Sequence, residues 1–485
     1  MDSSQSVLTT PNFNMLAEDQ IEQIYFAALD VVENTGARFL HQEARDIFGG
    51  SDALVTRDNV VRVPAYLVEK ALRNHPCKIS FQGWNKKRWV NLEKDEVAFG
   101  ADVGPVFWSE TPEDAGDGGI GSTLDTAYQT AKLVDALSNV DFLVSTTRID
   151  TRIPGHISDQ KRFLTMLQGC SKPMLFSDFG RHTLKDLWRM GVRIRGKEKE
   201  FRLHPFFAVY MESCSTLYFD WAFAEKLLFC SEKGIPFVYH PVLKAGVNAP
   251  VSLAGMLVQA LAQTMLVSVL SYLKKPGSPL IMGGELTVSC QETTVPSLGA
   301  PEHVLAASAK ADLAKWVGLP VLNTGGCSDS KLLDGQAAVE MCTSLFYQFL
   351  AGTNLIQGLG RRNIRPNLPL ESLTMCDEII GMIMKLGGGI STRDEYMALE
   401  IIDRVGPGGE FLTQDHTLEH WRDWFRPRFI DRLPYATWEK RGRISMHDKL
   451  RQATAQIIEQ HTPDPLGDSL LSDLEAMISQ TEQGC

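Results

Sequence analysis

Aromatic residues and single charged residues recur immediately after short apolar segments of this chain. The residues in these positions are Trp108, Arg148, Phe179, Tyr210, Glu212, Tyr239, His240, Glu285, Asn323, Lys331 and Gln357. Aromatic faces around a common space, with one or two carboxylates, suit a quaternary ammonium ion. Such a cation has no proton to donate in a hydrogen bond, so ring quadrupoles are its natural partners. We therefore predict that these residues bind substrate; the alternative is that the aromatic side chains only fill the protein interior.

Two other groups of residues could support different chemistry. His416 and His420 are four residues apart, as metal ligands on a helix can be, but the segment lacks the Glu of an H-E-x-x-H motif. Hydrogen bonding at a surface is the preferred interpretation, and we predict no metal site. Cys327 lies in a Gly-containing loop and could be a reactive thiol, although a small buried filler is the more common role. We find no Ser-His-Asp arrangement for nucleophilic catalysis.

Short apolar segments alternate with longer amphipathic ones from residue 97 onwards. The predicted strands are 97–100, 142–146, 173–177, 206–211, 236–239, 280–283, 320–322 and 355–357, and the predicted helices are 122–137, 158–169, 182–195, 217–233, 251–273, 301–316, 334–351 and 372–386. Such alternation implies parallel strands with right-handed crossovers, and eight repeats match a closed (β/α)8 TIM barrel. Chemistry in this α/β fold is expected at the carboxyl ends of the strands. An open doubly wound sheet is the alternative, but the segment after the first strand has no G-x-G-x-x-G turn.

The barrel leaves additional segments at both ends of the chain. We predict an N-terminal helical and β-hairpin extension over 1–95, the catalytic barrel over 96–400 and a C-terminal helical extension over 401–485. Apolar spacing predicts a helix at 18–35, a second helix follows at about 64–74, and alternation predicts the hairpin at 78–97.

Composition and charge narrow the functional classes. Hydrophobic residues make up 44% and charged residues 22% of the 485, as in an ordinary globular protein. The net charge of −11 disfavours nucleic acid as a partner. No apolar run approaches the roughly 20 residues of a membrane helix, and the first residues do not resemble a secretory signal. The scattered Cys form no C-x-x-C pair, which indicates a reducing compartment. We expect a cytoplasmic enzyme that acts on a small molecule.

Several motifs together resemble the trimethylamine methyltransferase family. They are GVNAPVSLAG (246–255), LPVLNTGGCSDSK (319–331) followed by DGQA (334–337), VGPGGEFL (405–412), HT (416–417), FRP (425–427) and DR (431–432). Their order and spacing carry the resemblance, which extends from about residue 20 to about 460.

The resemblance implies a cobalamin-dependent barrel enzyme that moves a methyl group from a methylated amine to the Co(I) of a separate corrinoid protein. One branch of the family contains pyrrolysine and demethylates trimethylamine. This chain consists of the twenty common residues, which indicates the larger branch that uses quaternary amines such as glycine betaine. A substrate carboxylate would be held by Arg148, Arg181, His240 or Lys331, and Arg suits a bidentate contact best.

A barrel-rim loop is expected to face the corrinoid partner. Its residues are Gly325, Gly326, Cys327, Ser328 and Asp329. Barrels of this size often pair through their outer helices, so a homo-oligomer is a further expectation. Two alternatives stay open: a metal-dependent TIM-barrel hydrolase, and a non-catalytic protein that binds quaternary amines.

Overall fold

A computed structural model of the chain describes residues 13–102, 123–145, 153–177, 183–289, 295–363, 366–367 and 370–483. The first elements are α1 (Glu18–Asp30), a π-helical turn (Val31–Thr35), β1 (Ala37–Phe39), α2 (Gln42–Gly49), β2 (Leu54–Val55), β3 (Val60–Arg62), α3 (Ala65–Leu72), β4 (Ile79–Gln82) and β5 (Trp89–Leu92). Helix α1 buries Ile21, Ile24, Ala28 and Leu29, which the apolar spacing places on one face. Strands β4 and β5 pair in antiparallel fashion as the predicted hairpin.

The central part of the chain alternates strands and helices. Its elements are β6 (Ala98–Asp102), α4 (Leu124–Ala136), β7 (Phe142–Ser145), α5 (Gly155–Gly169), β8 (Met174–Phe176), α6 (Thr183–Arg195), α7 (Glu198–Leu203), β9 (Phe207–Ser213), β10 (Tyr218–Phe219), α8 (Trp221–Lys233), β11 (Phe237–Lys244), α9 (Leu253–Lys274), β12 (Leu280–Met282), β13 (Glu285–Ser289), β14 (Pro296–Ser297), α10 (Pro301–Trp316), β15 (Leu322–Thr324), α11 (Gly335–Leu350), β16 (Leu355–Gln357), β17 (Arg362–Asn363), β18 (Pro366–Asn367) and α12 (Leu370–Gly387). Each predicted strand and helix of the barrel is present, with ends shifted by a few residues.

Eight parallel strands close into a ring, which confirms the predicted (β/α)8 barrel. The ring order is β6, β7, β8, β9, β11, β12, β15 and β16, and β16 pairs back with β6. Strands β12 and β15 are joined by a single bridge between Met282 and Val321. The buried ammonium group of Lys310 donates to the carbonyl oxygens of Gly284 and Leu322 and so holds the two sides of this seam together.

Side chains that alternate along the strands fill the barrel interior. The inner layer contains Ala98, Phe142, Val144, Leu175, Ala208, Tyr210, Val238, Ile281, Leu322 and Leu355, together with Ile79, Phe81, Val90 and Leu92 of the hairpin. The hairpin packs at the amino ends of the strands, where the Gln82 N–H donates to the carbonyl of Pro205, just before β9. The Arg195 guanidinium donates to the Gln82 carbonyl at 2.7 Å and holds the hairpin there. The hairpin therefore closes the amino end and leaves the carboxyl end for a site.

Helix α9 is the most apolar helix of the barrel. It is long and apolar enough to cross a membrane by length and composition, but 78% of its most apolar window is buried inside the protein. It packs against α1, α3, α8 and α10. These contacts are those of a core helix.

The C-terminal part is helical. Its elements are α13 (Asp394–Met397), α14 (Leu399–Val405), α15 (Asp415–His420), a 3-10 turn (Trp421–Asp423), α16 (Tyr435–Lys440), α17 (Met446–Gln460) and α18 (Asp468–Gln483). Helix α17 packs on α4 and α12, and α18 packs on α5 and α6. The His461 imidazole contacts the Asp135 carboxylate at 2.8 Å across this interface. The domain bounds at 95 and 400 stay predictions, and β1 pairs with β10 across the first of them.

Candidate active site

Strand alternation decides which of the predicted site residues reach the barrel interior. On β9, Tyr210 lies in the inner layer, and Glu212, two residues later, projects from the same face. His240 on β11 is the register partner of Glu212, and its ring centroid lies 4.8 Å from that of Tyr210. Tyr210, Glu212 and His240 therefore lie together at the carboxyl end of the barrel.

The floor of this site is a buried group of hydrogen-bonded side chains. The Gln357 amide donates to the Tyr210 hydroxyl at 2.8 Å, and because β16 and β9 lie on opposite sides of the ring, this bond crosses the interior. The Gly284 N–H donates to Nδ1 of His240 at 3.0 Å. Burial, with the charges of Lys310 and Arg361, holds the pKa of His240 well below its usual range. The imidazole is therefore neutral and carries its proton on Nε2.

Carboxylates surround this floor. Asp102 ends β6, Glu212 lies in β9 and Glu285 begins β13. The charges of Asp102 and Glu285 both act on Glu212. Glu212 is open to solvent yet lies within the concave end of the barrel. Desolvation of the carboxyl group by the surrounding protein is the largest effect and raises the pKa of Glu212. The charges of Glu285 and Asp102 raise it further, to about 7, and the charge of Arg361 opposes them. The site therefore carries excess negative charge and can bind a cation, and Glu212 changes its charge near neutral pH.

Arg361 belongs to the site although the sequence did not identify it. Its guanidinium lies 3.4 Å from the Glu285 carboxylate, and 45% of its side chain is exposed, against 12% for Glu285. Glu285 also accepts from the Thr324 hydroxyl at 3.4 Å. Arg361 directly follows a turn in which Gly358 and Gly360 have φ of +90° and +76°. In the sequence, the two glycines after the eighth strand were the available sign of a sharp turn there, because glycine is the residue that adopts positive φ most readily.

The loop predicted to face a corrinoid lies against this turn. The Gly360 N–H donates to the Gly326 carbonyl and the Ser328 N–H to the Arg361 carbonyl, both at 2.9 Å. Gly325 through Ser328 are buried, and Asp329 is partly buried. Covered residues do not support direct contact with a partner protein, so this role stays a prediction.

Cys327 is an inert thiol within that loop. Its Sγ donates to the Gly358 carbonyl at 3.1 Å, and it is 1% exposed. Burial raises the pKa of the thiol to about 12. A thiolate at neutral pH is therefore excluded, and the interpretation of Cys327 as a small filler is supported.

Three predicted substrate-binding residues lie away from the group, and their assignment needs correction. Tyr239 is on the outward face of β11 and packs on Phe219 and Phe223 in the helix layer. Asn323 also points outward, where its amide donates to the Ala307 carbonyl at 2.8 Å. Lys331 is exposed beyond β15 and donates to the Asp329 carbonyl at 2.7 Å. One residue of difference along a strand reverses the face, and a loop position has no fixed face.

Trp108, Arg148 and Phe179, and also Arg181, lie outside the described residues, so their predicted roles stay predictions. His416 and His420 make local hydrogen bonds near the surface: Nε2 of His416 donates to the Glu395 carbonyl at 3.0 Å, and Nδ1 of His420 donates to the Asp423 carboxylate at 3.1 Å. Within the ranges that the structure describes, no group of three or more His, Cys, Asp or Glu side chains could hold a metal ion.

Comparisons with known proteins agree with this architecture. The family model of trimethylamine methyltransferase (MTTB) matches residues 2–485. The chain is 27% identical to trimethylamine methyltransferase MttB of Desulfitobacterium hafniense, over 96% of this chain and 93% of that protein. It is 28% identical to glycine betaine methyltransferase of the same species, over 97% of each.

A solved structure shows the same fold. The monomethylamine methyltransferase MtmB of Methanosarcina barkeri superposes with a TM-score of 0.53 at 9% identity, over 93% of this chain and 89% of that one. The family model matches nearly the whole chain, and the barrel carries a polar site at the carboxyl ends of its strands. The chain therefore belongs to the trimethylamine methyltransferase (MTTB) family and is a methyltransferase of the branch without pyrrolysine.

Proposed function

We propose that this protein transfers a methyl group from a quaternary amine that also carries a carboxylate, such as glycine betaine, to the Co(I) of a corrinoid protein. One observation carries the proposal. Glu212 and Arg361 are oppositely charged, accessible and on opposite sides of the ring, above a floor that contains the Tyr210 ring. This arrangement is complementary to a small zwitterion.

The ammonium end of the substrate would bind near Tyr210 and Glu212. The ring offers a quadrupole, and Asp102, Glu212 and Glu285 supply more negative charge than Arg361 neutralises. The substrate loses its positive charge when a methyl group leaves, so very strong anionic binding would stabilise the ground state more than the transition state. An aromatic ring, together with a carboxylate that is half protonated near pH 7, binds the cation less strongly and so limits this stabilisation of the ground state.

The carboxylate end would bind Arg361. At 3.4 Å, one guanidinium nitrogen contacts Glu285, and the guanidinium group has five N–H donors in a fork that matches a carboxylate. The names of the two bacterial relatives do not decide between trimethylamine and glycine betaine, since the identities are 27% and 28%. Arg361 favours the zwitterion, because trimethylamine has no group for it to bind.

The methyl acceptor needs a route to the bound substrate, and among the described residues the carboxyl end of the barrel offers one. The hairpin closes the opposite end, whereas Glu212 and Arg361 are accessible from solvent. A corrinoid in its Co(I) state supplies the nucleophile: a carbon–cobalt bond forms, the carbon–nitrogen bond breaks, and the electron pair stays on the departing tertiary amine. No proton moves, so the protein needs no general base. Its part is to hold the methyl group toward the open end.

A spectrophotometric assay of methyl transfer tests the proposed substrate and acceptor. The protein is incubated with a Co(I) corrinoid protein and, separately, glycine betaine, other betaines, tetramethylammonium and trimethylamine, and formation of methyl-Co(III) is followed by absorbance. Transfer from a betaine and none from trimethylamine is expected. Transfer from trimethylamine alone would refute the proposed substrate, and binding of betaine without methyl transfer to any corrinoid would leave only a binding protein. Free cobalamin as acceptor should react more slowly than the corrinoid protein, because an unattached corrinoid loses more orientational freedom at each encounter.

A further inference from the structure

One buried charged side chain of the barrel wall has no part in the proposed reaction. Lys310, on α10, is 0% exposed, and its ammonium group donates to the carbonyl oxygens of Gly284 and Leu322. Burial lowers the pKa of Lys310 to about 7, although the charge of Glu285 opposes this effect. Taking an ammonium ion out of water costs free energy that an apolar residue at this position would not cost. The contacts of Lys310 therefore have to account for the presence of a charged side chain.

Gly284 connects Lys310 to His240. The Gly284 carbonyl accepts from Lys310, and the Gly284 N–H donates to Nδ1 of His240 at 3.0 Å. Gly284 has a φ of +133°, which residues with a side chain rarely adopt. At the preceding position, a Cβ on Gly283 would lie 2.6 Å from the Tyr239 carbonyl oxygen and 2.9 Å from Nδ1 of His240. Both glycines therefore allow the backbone to approach the imidazole this closely.

The hydrogen bond from Gly284 fixes the protonation of His240. A backbone N–H can only donate, so Nδ1 must carry a lone pair, and the single proton of the ring is on Nε2. A second proton, on Nδ1, would break this bond and place two N–H groups against each other. The imidazole therefore stays uncharged for as long as Gly284 is held in place.

The charged and titratable neighbours of His240 also oppose a second proton. Those whose charge acts on the imidazole all disfavour its positive form, and they are Lys310 and His303 from α10 and Arg361 after β16. On the other side, Glu212 is the register partner of His240 on β9, and the Tyr210 ring packs against the imidazole.

An uncharged His240 matters because of its position beside Tyr210. The two ring centroids are 4.8 Å apart, and Gln357 holds the Tyr210 hydroxyl from the opposite side of the ring of strands. An imidazolium here would repel a substrate ammonium group and compete with it for the face of the Tyr210 ring. A fixed, unprotonated Nδ1 keeps this competing charge out of the site.

We propose that Lys310 is a positioning residue for the cation site: by anchoring Gly284 it keeps Nδ1 of His240 on the Gly284 N–H, and so keeps the ring beside Tyr210 uncharged. Lys310 acts from the helix layer and does not contact the substrate. A neutral amine still has two N–H groups for the two carbonyl oxygens, so the anchor persists when Lys310 loses its proton. The consequence for cation binding rests on the proposed function, whereas the state of the imidazole does not.

The state of the imidazole is measured by nuclear magnetic resonance of the full-length protein with 15N-labelled histidine. The signals of His240 are those that His240→Asn lacks. In the wild type, Nδ1 should be unprotonated from about pH 5.5 to about pH 8, a range that includes the ordinary His pKa. In Lys310→Met, which keeps the length of the side chain but has no N–H group, His240 should take up a second proton within this range. A protonated Nδ1 in the wild type, or a wild-type spectrum of His240 in Lys310→Met, would overturn the proposal.

Lys172 provides the matched control. It is also 0% exposed, and its ammonium group donates to three carbonyl oxygens, of Val134 at 2.6 Å, Leu137 at 2.7 Å and Val140 at 2.5 Å. It precedes β8 and therefore lies at the amino end of the barrel. Lys172→Met should destabilise the fold as Lys310→Met does, yet leave the signals of His240 unchanged. Equal changes at His240 in both variants would mean a general loosening of the barrel, and the proposal would fail.

Circular dichroism checks the fold of each variant. If Lys310→Met does not fold, Lys310→Gln takes its place, because its shorter side chain keeps N–H donors but cannot reach both carbonyl oxygens. Gly283→Ala tests the same connection from the other side: its added methyl group crowds Nδ1 while Lys310 is intact, and His240 should again become protonated. An unchanged His240 spectrum in folded Gly283→Ala would count against the proposal.

Calorimetry with tetramethylammonium tests the consequence for cation binding. The measurements use the Glu212→Gln background, so that the titration of Glu212 does not contribute. Adding Lys310→Met should make the affinity about fourfold weaker at pH 5.5 than at pH 7.5, the effect of an imidazole pKa of about 6, whereas Glu212→Gln alone should show no such change. A protonated His240 with unchanged affinity would refute the role in cation binding. If tetramethylammonium binds neither protein, the proposed function fails, and the histidine spectra still decide the role of Lys310.

Discussion

Proton competition at Glu212 should make substrate affinity depend on pH. The surrounding protein and the neighbouring carboxylates raise the pKa of Glu212 to about 7 in the unliganded protein. A bound cation favours the ionised form, so a proton on Glu212 opposes binding. A quaternary amine has no titratable proton of its own, and His240 stays neutral above pH 6 because its pKa is well below its usual range.

The expected size of this pH effect on substrate affinity follows from the pKa of Glu212. If only the ionised form binds well, the apparent dissociation constant is multiplied by one plus the ratio of protonated to ionised Glu212. That factor is about 11 at pH 6, about 2 at pH 7 and about 1.1 at pH 8 for a pKa of about 7. Affinity should therefore rise about tenfold from pH 6 to pH 8 and change little above that.

Isothermal titration calorimetry with a betaine, in buffers of different ionisation enthalpy, measures both the affinity and the protons released. Glu212→Gln is the decisive variant, and its binding should lose the pH dependence. Lys310 is the second group that titrates in this range, since burial lowers its pKa to about 7. If Glu212→Gln keeps a tenfold change, the effect belongs to Lys310 and the assignment to Glu212 is refuted.

Further predictions test the placement of individual side chains. Tyr210→Ala should raise the dissociation constant of the substrate about 5- to 30-fold, a cost of about 1–2 kcal/mol, whereas Tyr239→Ala should leave it nearly unchanged and lower the free energy of unfolding by about 3–5 kcal/mol; the opposite pattern in calorimetry and urea denaturation would reverse our assignment of strand faces. Arg361→Gln should raise the KM for glycine betaine about tenfold or more, as loss of a charged hydrogen bond does, with little effect on tetramethylammonium binding; equal losses for both ligands would remove Arg361 from carboxylate recognition. Cys327 should resist iodoacetamide at pH 8 in the native protein while exposed Cys77 reacts, as peptide mass spectrometry can show, and Cys327→Ala should retain methyl transfer; rapid labelling of Cys327 would contradict its burial.

The barrel could be predicted from sequence because its signals are local. A strand in a parallel sheet is buried on both faces and is mostly apolar, so segments such as Phe142–Ser145 and Leu355–Gln357 stand out from the amphipathic helices between them. The order of elements then leaves few topologies. The same rule located Tyr210, Glu212, His240 and Gln357 at the carboxyl ends of their strands.

Strand faces could not be predicted as securely, because an apolar strand does not show which residues point inward. Tyr239 and Asn323 each lie one position from an inward residue, and both proved to face the helices. Arg361 was missed for a different reason: it follows the eighth strand by a loop, and only the turn at Gly358 and Gly360 brings it to Glu285.

The amino-acid sequence by itself determined the order of strands and helices, and with that order the barrel and the end of it that carries the polar residues. These follow from hydrophobic patterns between residues that are near in the chain. The tertiary structure alone decided that three carboxylates and Arg361 share one space and that the pKa of Glu212 is raised to about 7. Electrostatic coupling and burial depend on distances between residues far apart in sequence, and only the closed ring of strands sets those distances.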